Sequence, residues 1–182
     1  MVIWLIKEYN MSEELTIEHT KISELEVVCE LYDRAIDYQK RKGFPVWQQF
    51  DKRVLVDDIE TSKHYKVVLD GSIAMVFSVL GSDEIIWRHM EKGDAVYLHR
   101  IAVNPACKGR RLFSEVVDWT IGHAKQKGLK FIRMDTWSDN LQLVNYYKGF
   151  GFRFVESFTT PDSLELPKQN RNLSLALLER KL

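Results

Sequence analysis

The sequence predicts one α/β domain, a mixed, mostly antiparallel central sheet with helices on both faces. Three observations lead there. Short alternating or wholly apolar runs, the pattern of strands, are interleaved with longer runs at helical spacing. Asp70-Gly71 sits between two apolar runs, the signal of a tight hairpin. Gly43 and Gly128 each end a long helical pattern. No repeat, linker or low-complexity stretch divides the 182 residues, so residues 15–182 are read as one domain and residues 1–14 as an N-terminal extension.

Each element has its own reason. Leu15 to Thr20 alternates apolar and polar, as a half-buried strand does. Ser23 followed by Glu26 forms a capping box for a helix through Lys42. Phe44-Pro45-Val46-Trp47 is a loop, and Asp51 opens a second helix to about Ser62. Lys66 to Leu69 and Ser72 to Val79 form the hairpin, its second strand apolar on both faces and hence central. Gly81 to Asp94 is polar and reads as a loop. Its Ile85-Ile86-Trp87 either covers a pocket or adds a turn of helix. Ala95 to Val103 is a strand that Asn104-Pro105 ends. From Lys108 the pattern is helical, with Phe113, Val116, Val117, Thr120, Ile121 and Ala124 on one face. Lys130 to Thr136 is a strand, Asp139 or Asn140 starts a short helix through Tyr147, and Phe152 to Ser157 and Asn172 to Arg180 are the last two strands.

Composition narrows the function. Twenty-six basic residues balance 26 acidic ones, which disfavours a nucleic-acid partner. Cys29 and Cys107 match no metal spacing, nor do His19, His64, His89 and His123, so no metal is expected. No apolar run approaches the roughly 18 residues of a membrane span. Met1 to Ile6 is apolar but short and lacks a basic leader, so a cytoplasmic protein is expected, its translation starting at Met1 or at Met11.

The most informative stretch is a strand, then Asn104-Pro105-Ala106-Cys107-Lys108-Gly109-Arg110-Arg111-Leu112-Phe113, then a helix. A helix N-terminus offers unpaired N–H groups and a positive dipole end, and a glycine lets them approach a phosphate. Lys108, Arg110 and Arg111 add positive charge there. With the following LQLVNYYKGFGF segment, this order resembles the GNAT superfamily of N-acyltransferases. The resemblance runs from about Leu15 to Arg180 and is densest from Tyr97 to Phe154. That family's pyrophosphate loop reads Gln or Arg, two residues, Gly, one residue, then Gly or Ala. Lys108 stands at the first position, Arg111 where the family has glycine, and Phe113 where it has glycine or alanine. A helical backbone at Arg111 makes its side chain cheap to carry. The Phe113 ring must pack into the core or crowd the loop. Asn140, Val144, Tyr147, Gly151 and Phe152 reproduce the family's second motif.

The resemblance implies the acyl-CoA N-acyltransferase fold, with strands splayed at the cofactor site. It also implies acetyl-CoA as acyl donor and the primary amine of a small molecule or peptide as acceptor. It places the donor against Ile101, Ala102 and Val103 of the splayed strand, Lys108 to Phe113 of the loop, including Gly109 and Leu112, and Asn140. Tyr147 takes the general-acid position, and an N–H near Ile101 polarises the carbonyl. The strand from Ala95 to Val103 lacks the carboxylate often found there, so His99, sharing a face with Tyr97, Ile101 and Val103, is the expected base. Phe44, Trp47, Trp87 and Tyr97 are expected to shape the acceptor pocket, or to be ordinary core aromatics. The departures at Arg111 and Phe113 keep an alternative open, a domain of this fold that binds acyl-CoA or a partner without catalysis. A homodimer is also left open.

Overall fold

The computed structural model describes residues 14–44, 46, 51–166 and 170–182. The expected start of the chain and Trp47 lie outside these residues. Seven strands form one sheet: β1 (Leu15–His19), β2 (His64–Leu69), β3 (Ser72–Leu80), β4 (Ala95–Val103), β5 (Phe131–Trp137), β6 (Arg153–Thr159) and β7 (Ser174–Lys181), in the order β1-β2-β3-β4-β5-β7-β6. Every pairing is antiparallel except β4 with β5.

Among the described residues five α-helices flank it: α1 (Leu25–Arg41), α2 (Lys52–Glu60), α3 (Glu84–Trp87), α4 (Leu112–Gln126) and α5 (Leu141–Lys148). The stripe read from Phe113 to Ala124 packs α4 onto one face of the sheet, together with Val144 and Tyr147 of α5 and Val96, Leu98, Ile132 and Met134 of the strands. On the other face Val28, Leu31 and Tyr32 of α1 and Leu55 of α2 cover Val76 and Ala102. Further along that face Ile86 and Trp87 of α3 cover Ala95, Tyr97, Leu175 and Leu177.

Local chemistry explains the boundaries. Asp70 and Gly71 both have positive φ, 49° and 75°, as the two central residues of a type I′ turn require. Asp51 caps α2, accepting from the Arg53 amide at 2.9 Å. The first helix starts differently from its expected Ser23–Glu26 box. A 3-10 turn, Ile22–Glu24, precedes it, and the Glu24 carboxylate accepts from the Lys21 amide at 2.8 Å. The start of α4 is corrected too. The chain after β4 makes a 3-10 turn at Pro105–Cys107, then a loop, and is helical only from Leu112.

Two irregularities create the site. The parallel pairing of β4 with β5 runs from Ala95↔Phe131 only to Leu98↔Met134. Beyond it β4 stays with β3 as far as Val103↔Met75, and β5 stays with β7 as far as Trp137↔Leu175. The two central strands therefore splay, and among the described residues the edge of β4 facing β5 has no strand partner from His99 onward. The second irregularity is a bulge in β4. Ser78 faces His99 and Val76 faces Ala102, so two residues, Arg100 and Ile101, oppose Phe77 alone. Arg100 has φ +51°, a left-handed conformation that costs about 1–3 kcal/mol and persists only where its surroundings enforce it.

Those surroundings are a buried polar chain. The Tyr32 hydroxyl donates to the Arg100 carbonyl at 2.7 Å and lies 3.2 Å from His64 Nε2. His64 Nδ1 lies 2.7 Å from Thr20 Oγ1. Because Tyr32 gives its one proton to the carbonyl, His64 must donate from Nε2 and accept at Nδ1 from Thr20. Burial drives the His64 pKa down to about 4, so the ring is neutral at neutral pH. The Arg100 guanidinium is tied on the same side, to Asp58, with its Nε 3.2 Å from Ser78 Oγ.

Candidate active site

The splay opens a cleft of about 1010 Å³, at the upper end of the roughly 300–1,000 Å³ usual for small-molecule sites. Residues Leu98 to Val103 of β4 line it on one side and Met134 to Trp137 of β5 on the other. Lys108 to Phe113, Asn140 and Tyr147 line it as well, so the expected donor-binding residues come together in one place.

The loop after β4 is built for close approach. Gly109 has φ +88°, and a Cβ there would meet nothing within 4 Å, leaving the cradle open. Arg111, the N-cap of α4, has φ +55° and ψ +26°. It is left-handed, which corrects the expected helical backbone: the position keeps the glycine-like conformation of the motif without the glycine. The Phe113 ring is 2 % exposed and packs among Tyr147, Phe150 and Phe152, at centroid distances of 5.0, 5.0 and 6.4 Å. It fills the core and leaves the cradle clear. The first-turn amides of α4 thus open toward a cleft whose rim carries Lys108, Arg110 and Arg111. Lys108 also reaches α1, donating to the Tyr38 hydroxyl at 2.7 Å, and this holds the Tyr38 pKa below its ordinary value. A diphosphate-bearing acyl donor fits these residues.

Asn140 caps α5, its Oδ1 accepting from the Leu143 amide at 3.1 Å. This cap aims the helix at the cleft and sets the Tyr147 ring on its wall. Burial first, then the neighbouring Tyr146 and Asp135, raises the Tyr147 pKa, so the phenol keeps its proton across the physiological range. Its hydroxyl has no hydrogen-bond partner among the described residues. The neighbouring Tyr146 is 46 % exposed at the cleft.

His99 is placed differently from the expectation. The extra residue of the bulge breaks the alternation, so His99 shares its face with Tyr97 and Ala102, while Leu98, Ile101 and Val103 point to the α4 side. His99 lies between two carboxylates. Its Nε2 is 3.2 Å from Asp83 Oδ2, and its Nδ1 is 3.6 Å from Asp135 Oδ1. The first contact is close, but it lies off the line of a ring N–H bond, and both atoms are closed to solvent. One donor atom from each of the three residues lies within 4.8 Å of the others, a spacing that suits a cation. Burial raises the Asp135 pKa, with Asp83 adding to the effect and His99 opposing it. Neither carboxylate was picked out from sequence. The available signal was Asp135, a charge inside the apolar run FIRMDTW.

The acceptor-wall expectations divide. Phe44 lines the cleft. Trp87 and Tyr97 do not. Both are fully buried behind it, recruited by the Arg133 guanidinium. Arg133 sits 4.7 Å from the Trp87 ring, donates to the Tyr97 hydroxyl at 3.0 Å and pairs with Glu179 at 2.8 Å. Ile85 and Ile86 take the wall position instead, on a loop that is at once a turn of helix and a cover.

The family model of the acetyltransferase (GNAT) family matches residues 40–152. The chain belongs to this family. Its GNAT relatives include an uncharacterized N-acetyltransferase of Bacillus subtilis (strain 168), YesJ, 26 % identical over 143 residues, which cover 71 % of this chain and 77 % of YesJ. A GNAT acetyltransferase of Listeria monocytogenes superposes with a TM-score of 0.72 at 18 % identity, covering 94 % of this chain and all of that one. YncA of Salmonella typhimurium, a putative acetyltransferase solved with its cofactor acetyl-CoA, superposes at 0.64 and 16 % identity, over 93 % and 94 % of the two chains. These likenesses show the GNAT fold. No helix among the described residues is long and apolar enough to cross a membrane.

Proposed function

We propose that this GNAT protein transfers the acetyl group of acetyl-CoA directly to a primary amine. The observation that carries the reading is the splay of β4 from β5, which joins the cradle at the start of α4 to His99 and Tyr147 in a single cleft. The acetyl-CoA complex of the Salmonella relative supports the choice of donor.

Acetyl-CoA supplies an activated carbonyl on a thiol leaving group, and the protein must do the rest. The amides of Gly109 and the first turn of α4, with Lys108, Arg110 and Arg111, hold the diphosphate. The unpartnered edge of β4 from Ile101 to Val103 holds the extended arm as an added strand would. An N–H near Ile101 donates to the thioester oxygen, where negative charge develops. His99 takes a proton from the bound ammonium, and Asp83 and Asp135 stabilise the imidazolium that results. The C–N bond forms as the C–S bond breaks, and Tyr147 gives its proton to the departing sulfur. The amine loses two protons overall. One leaves through His99 to solvent, and the other restores Tyr147.

Calorimetry with acetyl-CoA, followed by thiol release on a panel of amines, tests this. Binding with turnover on at least one amine is expected. Binding without turnover on any amine would replace the reading with a non-catalytic acyl-CoA-binding domain, and no binding would remove both.

A further inference from the structure

The acceptor end of the cleft has a chemistry of its own. Its floor is Asp83 and Asp135 on either side of His99, two carboxylates against one imidazole. Its walls on that face are Leu80, Ile86, Leu173 and Leu175. The basic side chain on the same face, Arg100, is already turned to Asp58 and Ser78. Lys108, Arg110 and Arg111 belong to the opposite end. Four residues of strand separate His99 from Val103, about 13 Å, and the loop begins beyond that. Lys42 lines the cleft from the end of α1, and Asp51, paired with Arg53, from the start of α2.

From this we infer that the acceptor is a primary amine with an apolar body and no carboxylate beside its nitrogen, bound as an ammonium ion against Asp83 and Asp135. The inference rests on the acetyl-transfer reading above and names the substrate class for it. The ammonium meets Asp83 and Asp135, which both line the cleft and are already spaced for a cation. The leucine and isoleucine walls then take the hydrocarbon body out of water. An amino acid would bring its carboxylate onto the same acidic floor, and like charges so placed are strongly disfavoured. The raised Asp135 pKa agrees with this arrangement, because a second carboxylate and burial both weigh against its charge until a cation arrives.

The test compares matched amines on acetyl-CoA-loaded protein by thiol release: 2-phenylethylamine against phenylalanine, and hexylamine against 6-aminohexanoate. Expected is a kcat/KM for 2-phenylethylamine about 100-fold or more above that for phenylalanine, with a smaller gap for the second pair, whose carboxylate lies far from the nitrogen. Asp83→Asn keeps an acceptor for the α3 cap and removes the charge, and it should shrink the first ratio to below about 10-fold. Because this is a ratio within one protein, partial unfolding of the variant does not mimic it. Equal or better use of phenylalanine overturns the inference and leaves acetyl transfer standing, as does a ratio unmoved by Asp83→Asn. Turnover abolished by EDTA and restored by zinc would assign the acidic floor to a metal and overturn it too. No thiol release on any amine, despite acetyl-CoA binding, would remove the transfer reading itself and the inference with it.

Discussion

Replacing Tyr32 with phenylalanine removes one oxygen and should disturb both stability and catalysis. That oxygen serves two buried groups. It donates to the Arg100 carbonyl at 2.7 Å and accepts from His64 Nε2 at 3.2 Å. Tyr32 and His64 are both fully buried, so water cannot stand in. An unsatisfied buried polar group costs about 1–3 kcal/mol, and two are created, so the loss centres on about 4 kcal/mol. A domain of this size has about 5–15 kcal/mol to lose, so the variant stays folded. The carbonyl concerned belongs to the bulge residue with φ +51°. Released on that side, the bulge can relax toward regular pairing, and His99 and Ile101 move with it. A misplacement approaching 1 Å costs about 100-fold in rate, so kcat/KM should fall about 10- to 100-fold. Urea unfolding gives the first quantity and thiol release at 25 °C the second. A loss under about 1 kcal/mol together with unchanged kcat/KM would show that Tyr32 does not hold the bulge.

Stability should also follow pH through His64. Its folded pKa of about 4 lies below the unfolded value of 6.5, so between these two the unfolded state binds more protons. Its contribution is complete above pH 6.5 and is lost as pH falls toward 4, by roughly 3 kcal/mol at most. Urea midpoints from pH 7.5 to 4.5 check this, and a His64→Gln protein that keeps the full slope would exclude His64 as its source. Tyr147→Phe should lower kcat by about 100- to 10,000-fold while the calorimetric affinity for acetyl-CoA stays within a few-fold. Unchanged turnover would take Tyr147 out of the acid role. His99→Ala should displace the pH profile of kcat/KM to higher pH, since bulk solvent must then deprotonate the amine. A profile identical to that of the parent protein would make His99 structural.

Much of the architecture is legible in the residues because it rests on local rules. Asp70-Gly71 demands positive φ and marks its hairpin, Asn140 announces the start of α5, and the spacing from Phe113 to Ala124 fixes the buried side of α4. The errors come where a long-range partner overrides a local rule. Arg100 carries none of the usual signs of a bulge, being neither glycine nor next to proline. Tyr32, 68 residues away, and Asp58, 42 away, impose its conformation. His99 faces away from its expected side for that reason alone. Trp87 and Tyr97 look like pocket aromatics until Arg133 and Glu179, distant in sequence, are seen to bury them. Lys108 to Arg111 look helical because their composition is, yet the turn at Pro105 and the left-handed Arg111 delay the helix to Leu112.

Under the proposed reaction, the bulge also explains how one strand would serve two substrates. In a regular strand, residues two apart share a face, so His99 and Ile101 would point the same way. The base would then sit on the α4 side, with the donor's own supports. The extra residue at Arg100 turns His99 to the face that holds Asp83, Asp135 and the apolar walls, while Leu98, Ile101 and Val103 stay on the α4 side. Donor and acceptor groups thus come from consecutive residues on opposite faces, at the point where β5 departs and leaves a passage between them. A chain with the same splay but no bulge would bind the donor and present no base to the amine. If His99 is the base of the proposed reaction, the strain at Arg100, with the Tyr32–His64–Thr20 chain and the Asp58 pair that enforce it, positions that base without touching substrate.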